Sequence, residues 1–346
     1  MPLRKLYVEL TSSCNLDCAI CYRRSWTKAP LDMSEATFAR VVEFSACSPE
    51  LRTIVLGGIG EPTSSPLFMN ALSAFPGKDL TLTTNGTDLD DRTLTELARY
   101  AKLVVFSVDG MDDAFGRIRG TELKGVLESV RKLSAFRTAL GKDTPRIEFQ
   151  FVLSVLNAGD LPDVVDLAAD TGVNTVVVSH LLPQDAANSP YVLYNRYGKP
   201  TTKTLYERVR LRAMRRGVSV LLPPLELKTE RRCSFAAEDA VFVNADGNVC
   251  PCYRFSHDGT EFVFGREKRV REVSFGNVAK ESLDSIWNSV SFGGFRRTLL
   301  ENRYPSCPDC DLLEGCDMTS DTESDCWANS PSCADCLWAR GFMRCP

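Results

Sequence analysis

The 346-residue chain is long enough for one large core or for a catalytic domain with an appendage. Its 44% hydrophobic and 25% charged composition is that of a globular protein, which excludes a disordered or fibrous chain. The formal charge of −4 gives no global electrostatic reason to bind nucleic acid, and no apolar run is long enough to span a membrane. The opening stretch MPLRKLYVELTSS has no apolar signal core, so a cytoplasmic, reducing location is expected.

In chain order, KLYVEL (5–10), TIVL (53–56), LTLTT (80–84), KLVVFSV (102–108), IEFQFVL (147–153) and TVVVSH (175–180) predict strands. Helices are predicted between them. Phe38, Val41 and Val42 follow Ser34 at helical spacing. Leu94, Leu97, Ala98 and Ala101 follow Asp91, and Val164, Leu167 and Ala168 follow an N-cap at Asp160, with Gly172 as the stop. A last helix is expected at 203–216, before the short apolar stretch VSVLL. Six strands alternating with helices predict an α/β fold with a parallel sheet, either a partial barrel or a doubly wound layer. Active groups then belong at the C-terminal ends of the strands, and the unusual residues stand there. Cys14 follows strand one, Gly57 to Glu61 strand two, Asn85 strand three and Asp109 strand four.

Past Pro223-Pro224 the composition shifts to Cys, Gly, Asp and Ser, which divides the chain into 1–225 and 226–346. Ala240–Val243 and Val249–Cys252 around Asp246-Gly247 predict a hairpin, and Leu283, Ile286 and Trp287 a short helix. The loops at 306–346 contain little to form a core, so bound metal is the expected organiser.

There are 14 cysteines and 2 histidines, His180 and His257. A disulfide framework suits small secreted domains and not this chain. Cys307-Pro-Asp-Cys310 alone would suit a zinc knuckle. Cys14, Cys18 and Cys21 form a C-x3-C-x2-C loop with no fourth ligand close in sequence, which fits an iron–sulfur cubane with one open iron.

This loop, directly after a first strand, resembles that of radical SAM enzymes. The resemblance implies a partial six-stranded (β/α) barrel of TIM-barrel type. It also implies a 4Fe–4S cluster on Cys14, Cys18 and Cys21 whose fourth iron is chelated by S-adenosylmethionine. One-electron reduction of the sulfonium would then give a deoxyadenosyl radical. Gly57-Gly58-Ile59-Gly60-Glu61-Pro62 resembles the segment that binds the cofactor's amino group, with Glu61 as acceptor and Gly57, Gly58 or Gly60 as the close approach. Asn85, Ser107 and Asp109 are similar to residues that approach ribose and carboxylate. Arg119 matches an arginine near the cofactor carboxylate, with Arg117 as a substitute and Asn157 as a further match. Ile20 stands where the family usually has an aromatic residue over the adenine.

The C-terminal segment resembles the SPASM extension: Cys233, Gly247 and Cys252 open it, and Cys307-x2-Cys310-x5-Cys316 continues it. By that resemblance one auxiliary cluster uses Cys233, Cys252 and Cys326, with Cys250 as an extra ligand. The other uses Cys307, Cys310, Cys316 and Cys345, with Cys333 or Cys336 as replacements for the last. Cys47, on an apolar helix, is read as a small hydrophobe. The tail around Asp325-Cys326-Trp327 and the stretch Cys21-Tyr22-Arg23-Arg24-Ser25-Trp26 resemble the radical SAM maturases of tungsten-containing aldehyde oxidoreductases.

The implied partners are a protein, peptide or enzyme-bound cofactor as substrate, and a low-potential donor of ferredoxin or flavodoxin type. Two alternatives compete with this reading: a haem-precursor or RNA substrate, and a metal-bound interaction protein without catalysis. For RNA the only signal is Arg208, Arg210, Arg212, Arg215 and Arg216 on one helix, which in an acidic chain reads first as a solvated face.

Overall fold

The computed structural model describes residues 1–196 and 200–344. Its strands are β1 (Lys5–Val8), β2 (Thr53–Leu56), β3 (Asp79–Thr84), β4 (Ala101–Ser107), β5 (Arg146–Leu153), β6 (Thr175–His180), β7 (Ser219–Leu221), β8 (Ala240–Val243), β9 (Val249–Cys250), β10 (Gly259–Val263) and β11 (Arg266–Val270). The first nine form one sheet in the order β7-β6-β5-β4-β3-β2-β1-β8-β9. The six predicted strands are its consecutive parallel centre. The stretch read as VSVLL adds β7 at one edge, and the predicted hairpin adds β8 and β9 at the other.

β8 runs parallel to β1, with Leu6 opposite Val241, so the cysteine-rich segment is hydrogen-bonded into the main sheet. Its inter-strand bonds pair backbone that would otherwise be a bare edge at β1. The hairpin turn has the glycine it needs: Gly247 takes a positive φ of 82°.

Helices α1 (Glu35–Cys47), α2 (Phe68–Ser73), α3 (Asp91–Tyr100), α4 (Asp112–Arg119), α5 (Leu123–Ala139), α6 (Leu161–Asp170) and α7 (Pro200–Arg216) connect the parallel strands. Ser34 caps α1 by accepting the Thr37 N–H at 3.1 Å. Two predicted details shift. The α3 cap is Asp90, which accepts from Thr93 N, and Ala101 starts β4 instead of extending the helix. Asp160 stands at the N-cap position of α6 as expected, but the turn Ala158–Asp160 runs straight into that helix and its side chain makes no cap hydrogen bond. Its carboxylate instead accepts the Met111 N–H at 2.9 Å.

The side-chain alternation of β5 shows how the sheet positions a site. Ile147, Phe149, Phe151 and Leu153 are buried in the main core, while Gln150 and Val152, of opposite parity, line a cavity on the other face. Beyond the sheet lie the β10–β11 hairpin and the helices α8 (Ser234–Ala237), α9 (Leu283–Trp287) and α10 (Val290–Leu300). Short 3-10 turns follow at Cys307–Asp309, Leu313–Gly315 and Asp317–Thr319. Among the described residues no helix is long and apolar enough to cross a membrane.

Candidate active site and cysteine clusters

A cavity of about 260 Å³ lies at the C-terminal ends of β1 to β6. Cys14, Cys18, Ile20, Cys21, Gly58, Gly60, Glu61, Asn85, Ser107, Asp109 and Arg119 all line it. Gly57 does not. It ends β2, its N–H reaching Val8 O at 3.3 Å, and a Cβ there would stand 2.5 Å from Thr83 Oγ1. Gly60 is the tight approach in this loop: a Cβ would fall 2.4 Å from Thr11 O and 2.6 Å from Ser13 O, both backbone.

Several expected ligand contacts turn out to hold one another. Glu61 is buried and accepts from Thr63 N, Thr63 Oγ1, Thr84 Oγ1 and Asn85 N, the last at 2.7 Å. Burial raises its pKa, and these hydrogen bonds oppose that rise. All four donors are neutral, so the carboxylate retains a net negative field for an ammonium. Asn85 donates to Asn15 Oδ1 at 2.8 Å and lies 3.9 Å from Cys14 Sγ, so it steadies the cysteine loop.

Asp109 and Arg119 form an ion pair, and Asp109 Oδ1 accepts Val152 N–H at 2.6 Å. With both oxygens engaged, Asp109 is a brace between β4 and β5 and not an open ribose contact. Asn157, buried, donates to Asp109 O and Val152 O and supports the same brace. Arg117 is exposed on α4 and away from the cavity lining. Ile20 packs with Ile118 and Leu181, an aliphatic surface in place of an aromatic one. Ser107 keeps its hydroxyl without a hydrogen-bond partner among the described residues, as does the Gln150 amide, which the sequence reading missed.

His180 lines the cavity and is 2% exposed. Trp26 stacks on His257, whose Nε2 meets Glu9 Oε2 at 2.9 Å, so Trp26 serves packing. Arg212 and Arg216 pair with Asp163, Asp166 and Asp170 of α6, so two arginines of that row are spent in surface ion pairs.

The C-terminal cysteines sort differently from the expectation. Cys233, Cys252, Cys333 and Cys336 line one small, largely apolar cavity of about 30 Å³. Cys326 is not among them. It is exposed and, with Cys316, lies within electrostatic reach of Cys307. The reason is chain geometry: the tail folds back so that Cys307 N–H donates to Ala334 O, which carries residues 333–336 past the 307 loop to the 233–252 region. Cys250 is fully buried beside Tyr7, Phe242 and Tyr253 and does not line the four-thiol cavity. Cys47, at the end of α1, is exposed and does not pack as a hydrophobe. Cys345 lies outside the described residues.

Beside the four-thiol cavity stands a network that no local pattern announced. Arg254 is buried and paired to Glu261 and to Asp335, which also accepts from Lys268 at 2.7 Å. Tyr22 Oη donates to Glu261 at 3.4 Å and ties this network to the first cysteine loop. Tyr253 and Trp338 border both cavities and form the wall between them.

The donor sets fit iron–sulfur clusters. Burial raises the pKa of Cys14, Cys18, Cys233, Cys307 and Cys333, so thiolates at these places need a cationic partner, which iron supplies. Three thiols facing a cavity with room beside them suit a cluster with one open iron, and four thiols around one small apolar cavity suit a fully ligated one.

Residues 8–138 match the radical SAM superfamily and residues 233–311 the SPASM iron–sulfur cluster-binding domain. The chain is 39% identical, over 99% of its length and 97% of the relative's, to the tungsten-containing aldehyde ferredoxin oxidoreductase cofactor-modifying protein of Pyrococcus furiosus. Two solved structures share the fold. SuiB of Streptococcus suis, bound to its precursor peptide SuiA, has a TM-score of 0.64 at 16% identity, covering 97% of this chain and 76% of that one. The anSMEcpe structure with bound S-adenosylmethionine has a TM-score of 0.62 at 16% identity, covering 99% and 92%. The identity of the first relative across nearly the whole chain, on a sheet that gathers the three-cysteine loop and its supporting residues at one cavity, places this protein in the radical SAM superfamily as an enzyme with a C-terminal SPASM iron–sulfur domain.

Proposed function

We propose that this enzyme modifies the cofactor of a tungsten-containing aldehyde oxidoreductase. The observation that carries the reading is the 39% identity to the cofactor-modifying protein, which runs through both the barrel and the cysteine-rich segment. When bound, the cluster and S-adenosylmethionine supply reductive cleavage of a sulfonium–carbon bond and hydrogen-atom abstraction from carbon.

The chain's own residues divide the remaining work. Cys14, Cys18 and Cys21 hold the cluster, and Asn85 steadies their loop. Glu61 presents negative charge to the methionine ammonium, while Gly58 and Gly60 let the backbone approach it. Ser107 offers a hydroxyl to the nucleoside, and Ile20 covers its apolar face. Residues 1–225 act as the catalytic unit and 226–346 as the auxiliary unit. In the latter, Cys233, Cys252, Cys333 and Cys336 hold one cluster, and Cys307, Cys310, Cys316 and Cys326 the other. A ferredoxin- or flavodoxin-type protein supplies the electron.

The test is mass spectrometry of the cofactor extracted from a tungsten-containing oxidoreductase made with and without this chain. A mass difference is expected. An identical cofactor from both preparations would remove the proposal.

A further inference from the structure

Four charged carboxylates or guanidinium groups line the reaction cavity: Glu61, Asp109, Arg119 and Arg344. Asp109 and Arg119 neutralise each other, and Glu61 meets only neutral donors. Arg344 stands at the opposite end, beside β6, where it lines both this cavity and an adjoining cleft that holds Glu148, with no carboxylate in ion-pair contact among the described residues. The cavity therefore has a negative end at β2–β3 and a positive end at β6.

The positive end is built by the chain's tail. Phe342 O accepts the His180 N–H at 3.0 Å, and Arg344 N–H donates to Ser179 Oγ at 3.2 Å, so the tail runs along the end of β6. Arg344 Nη2 donates to Leu222 O at 3.0 Å, which fixes the guanidinium, while its Nε is buried without a partner. A second group in the cavity lining is also unsatisfied. His180 Nε2 meets the Pro224 carbonyl at 3.1 Å, and because a carbonyl only accepts, the ring proton sits on Nε2. Nδ1 is then a bare acceptor, buried and without a hydrogen-bond partner. Burial pulls the imidazole pKa down to about 4, so the ring stays neutral near pH 7. Native structures rarely leave buried polar groups unpaired without a ligand or water to satisfy them.

We infer that the β6 end of the cavity is an oxyanion subsite for the substrate: Arg344 holds a phosphate or carboxylate, and His180 Nδ1 accepts a hydrogen bond from an adjacent O–H or N–H. This names the chemistry of the molecule acted on, and it rests on the proposed small cofactor substrate. The negative Glu61 end takes the ammonium of S-adenosylmethionine, so the two ends sort cofactor from substrate by charge.

The test is calorimetric titration of anaerobic, cluster-loaded protein saturated with S-adenosylmethionine, using inorganic phosphate and, separately, acetate. Saturable binding of at least one anion is expected. Arg344→Gln should weaken it about tenfold or more and Arg344→Lys about threefold, since lysine keeps charge but loses the fork. Arg117→Gln, on the exposed face of α4, should leave it unchanged. Tighter phosphate binding, weakened by His180→Phe while acetate is unaffected, identifies a phosphate ester as the group. Tighter acetate binding identifies a carboxylate. Two results would overturn the subsite: no binding of either anion to the saturated protein, or equal affinity in Arg344→Gln and wild type. If Arg344→Gln does not fold, the lysine variant decides by the same comparison. Anion binding together with an unaltered oxidoreductase cofactor would remove the proposed function and leave the subsite standing.

Discussion

Arg119 grips a single oxygen of Asp109 with Nε and Nη2, at 2.7 and 2.5 Å, while its Nη1 lies 3.9 Å from Cys18 Sγ. One guanidinium thus links the end of β4 to the middle cysteine of the cluster loop. Burial would lower the Arg119 pKa, but Asp109 and the neighbouring thiols raise it, so the charge is fixed. Asp109→Ala leaves that charge in a nearly closed site. A loss of about 3 kcal/mol is expected in anaerobic urea unfolding, since removing one partner of a buried pair costs more than the pair contributes. A loss below about 0.5 kcal/mol would mean that water already solvates Arg119.

Gly60 is the position where a methyl group has nowhere to go. Gly60→Ala is expected to push the Glu61 loop away from Thr11 and Ser13 and to abolish deoxyadenosine formation. Gly116→Ala on α4, where the nearest neighbour is Thr121 O at 3.9 Å, should retain activity and gain up to about 1 kcal/mol of stability. Measuring both variants side by side separates local crowding from a general intolerance of the fold.

The regrouping of the tail cysteines is read out by iron. With three four-iron clusters the loaded enzyme holds about 12 irons per chain. Cys333→Ala and Cys336→Ala should each lose iron from the site they share with Cys233 and Cys252. Cys326→Ala should lose it from the Cys307 site, and Cys250→Ala should lose none. Mössbauer and EPR spectra assign which cluster is missing, and an unchanged iron content in Cys333→Ala would restore the pairing expected from sequence. Cys18→Ala should end deoxyadenosine release altogether, whereas Cys310→Ala should leave some uncoupled release.

His180 provides the pH dependence. Its folded-state pKa, about 4, lies below the ordinary 6.5, so the unfolded chain binds this proton more readily. Stability is full above about pH 6.5 and declines as pH falls towards 4, by up to about 3 kcal/mol from this group. Anaerobic urea titrations of wild type and His180→Phe should diverge across that window and run parallel above it. Parallel curves throughout would mean that the imidazole is protonated as easily in the fold as outside it.

The fold and the first site were legible because they rest on local patterns. Parallel strands put all their C-terminal ends on one side, so Cys14, Glu61, Asn85 and Asp109, each just past a strand, had to meet there. Period-two alternation in β5 likewise separates core from cavity without any long-range information.

The tertiary structure decided what local pattern cannot encode. Asp109 and Arg119 both looked like ligand contacts, and only their approach in space makes them partners. Cys326 and Cys333 are separated by seven positions in loops with no periodicity, so their assignment depends on how the tail folds back past Ala334. The β1–β8 pairing joins residues more than 230 positions apart, and Arg344 reaches the end of β6 across a similar kind of long-range contact. Sequence determines which chemical groups a strand end or loop presents. Which of them are spent on one another, and which stay open to a ligand, is settled when distant segments compete for the same hydrogen bonds and charges.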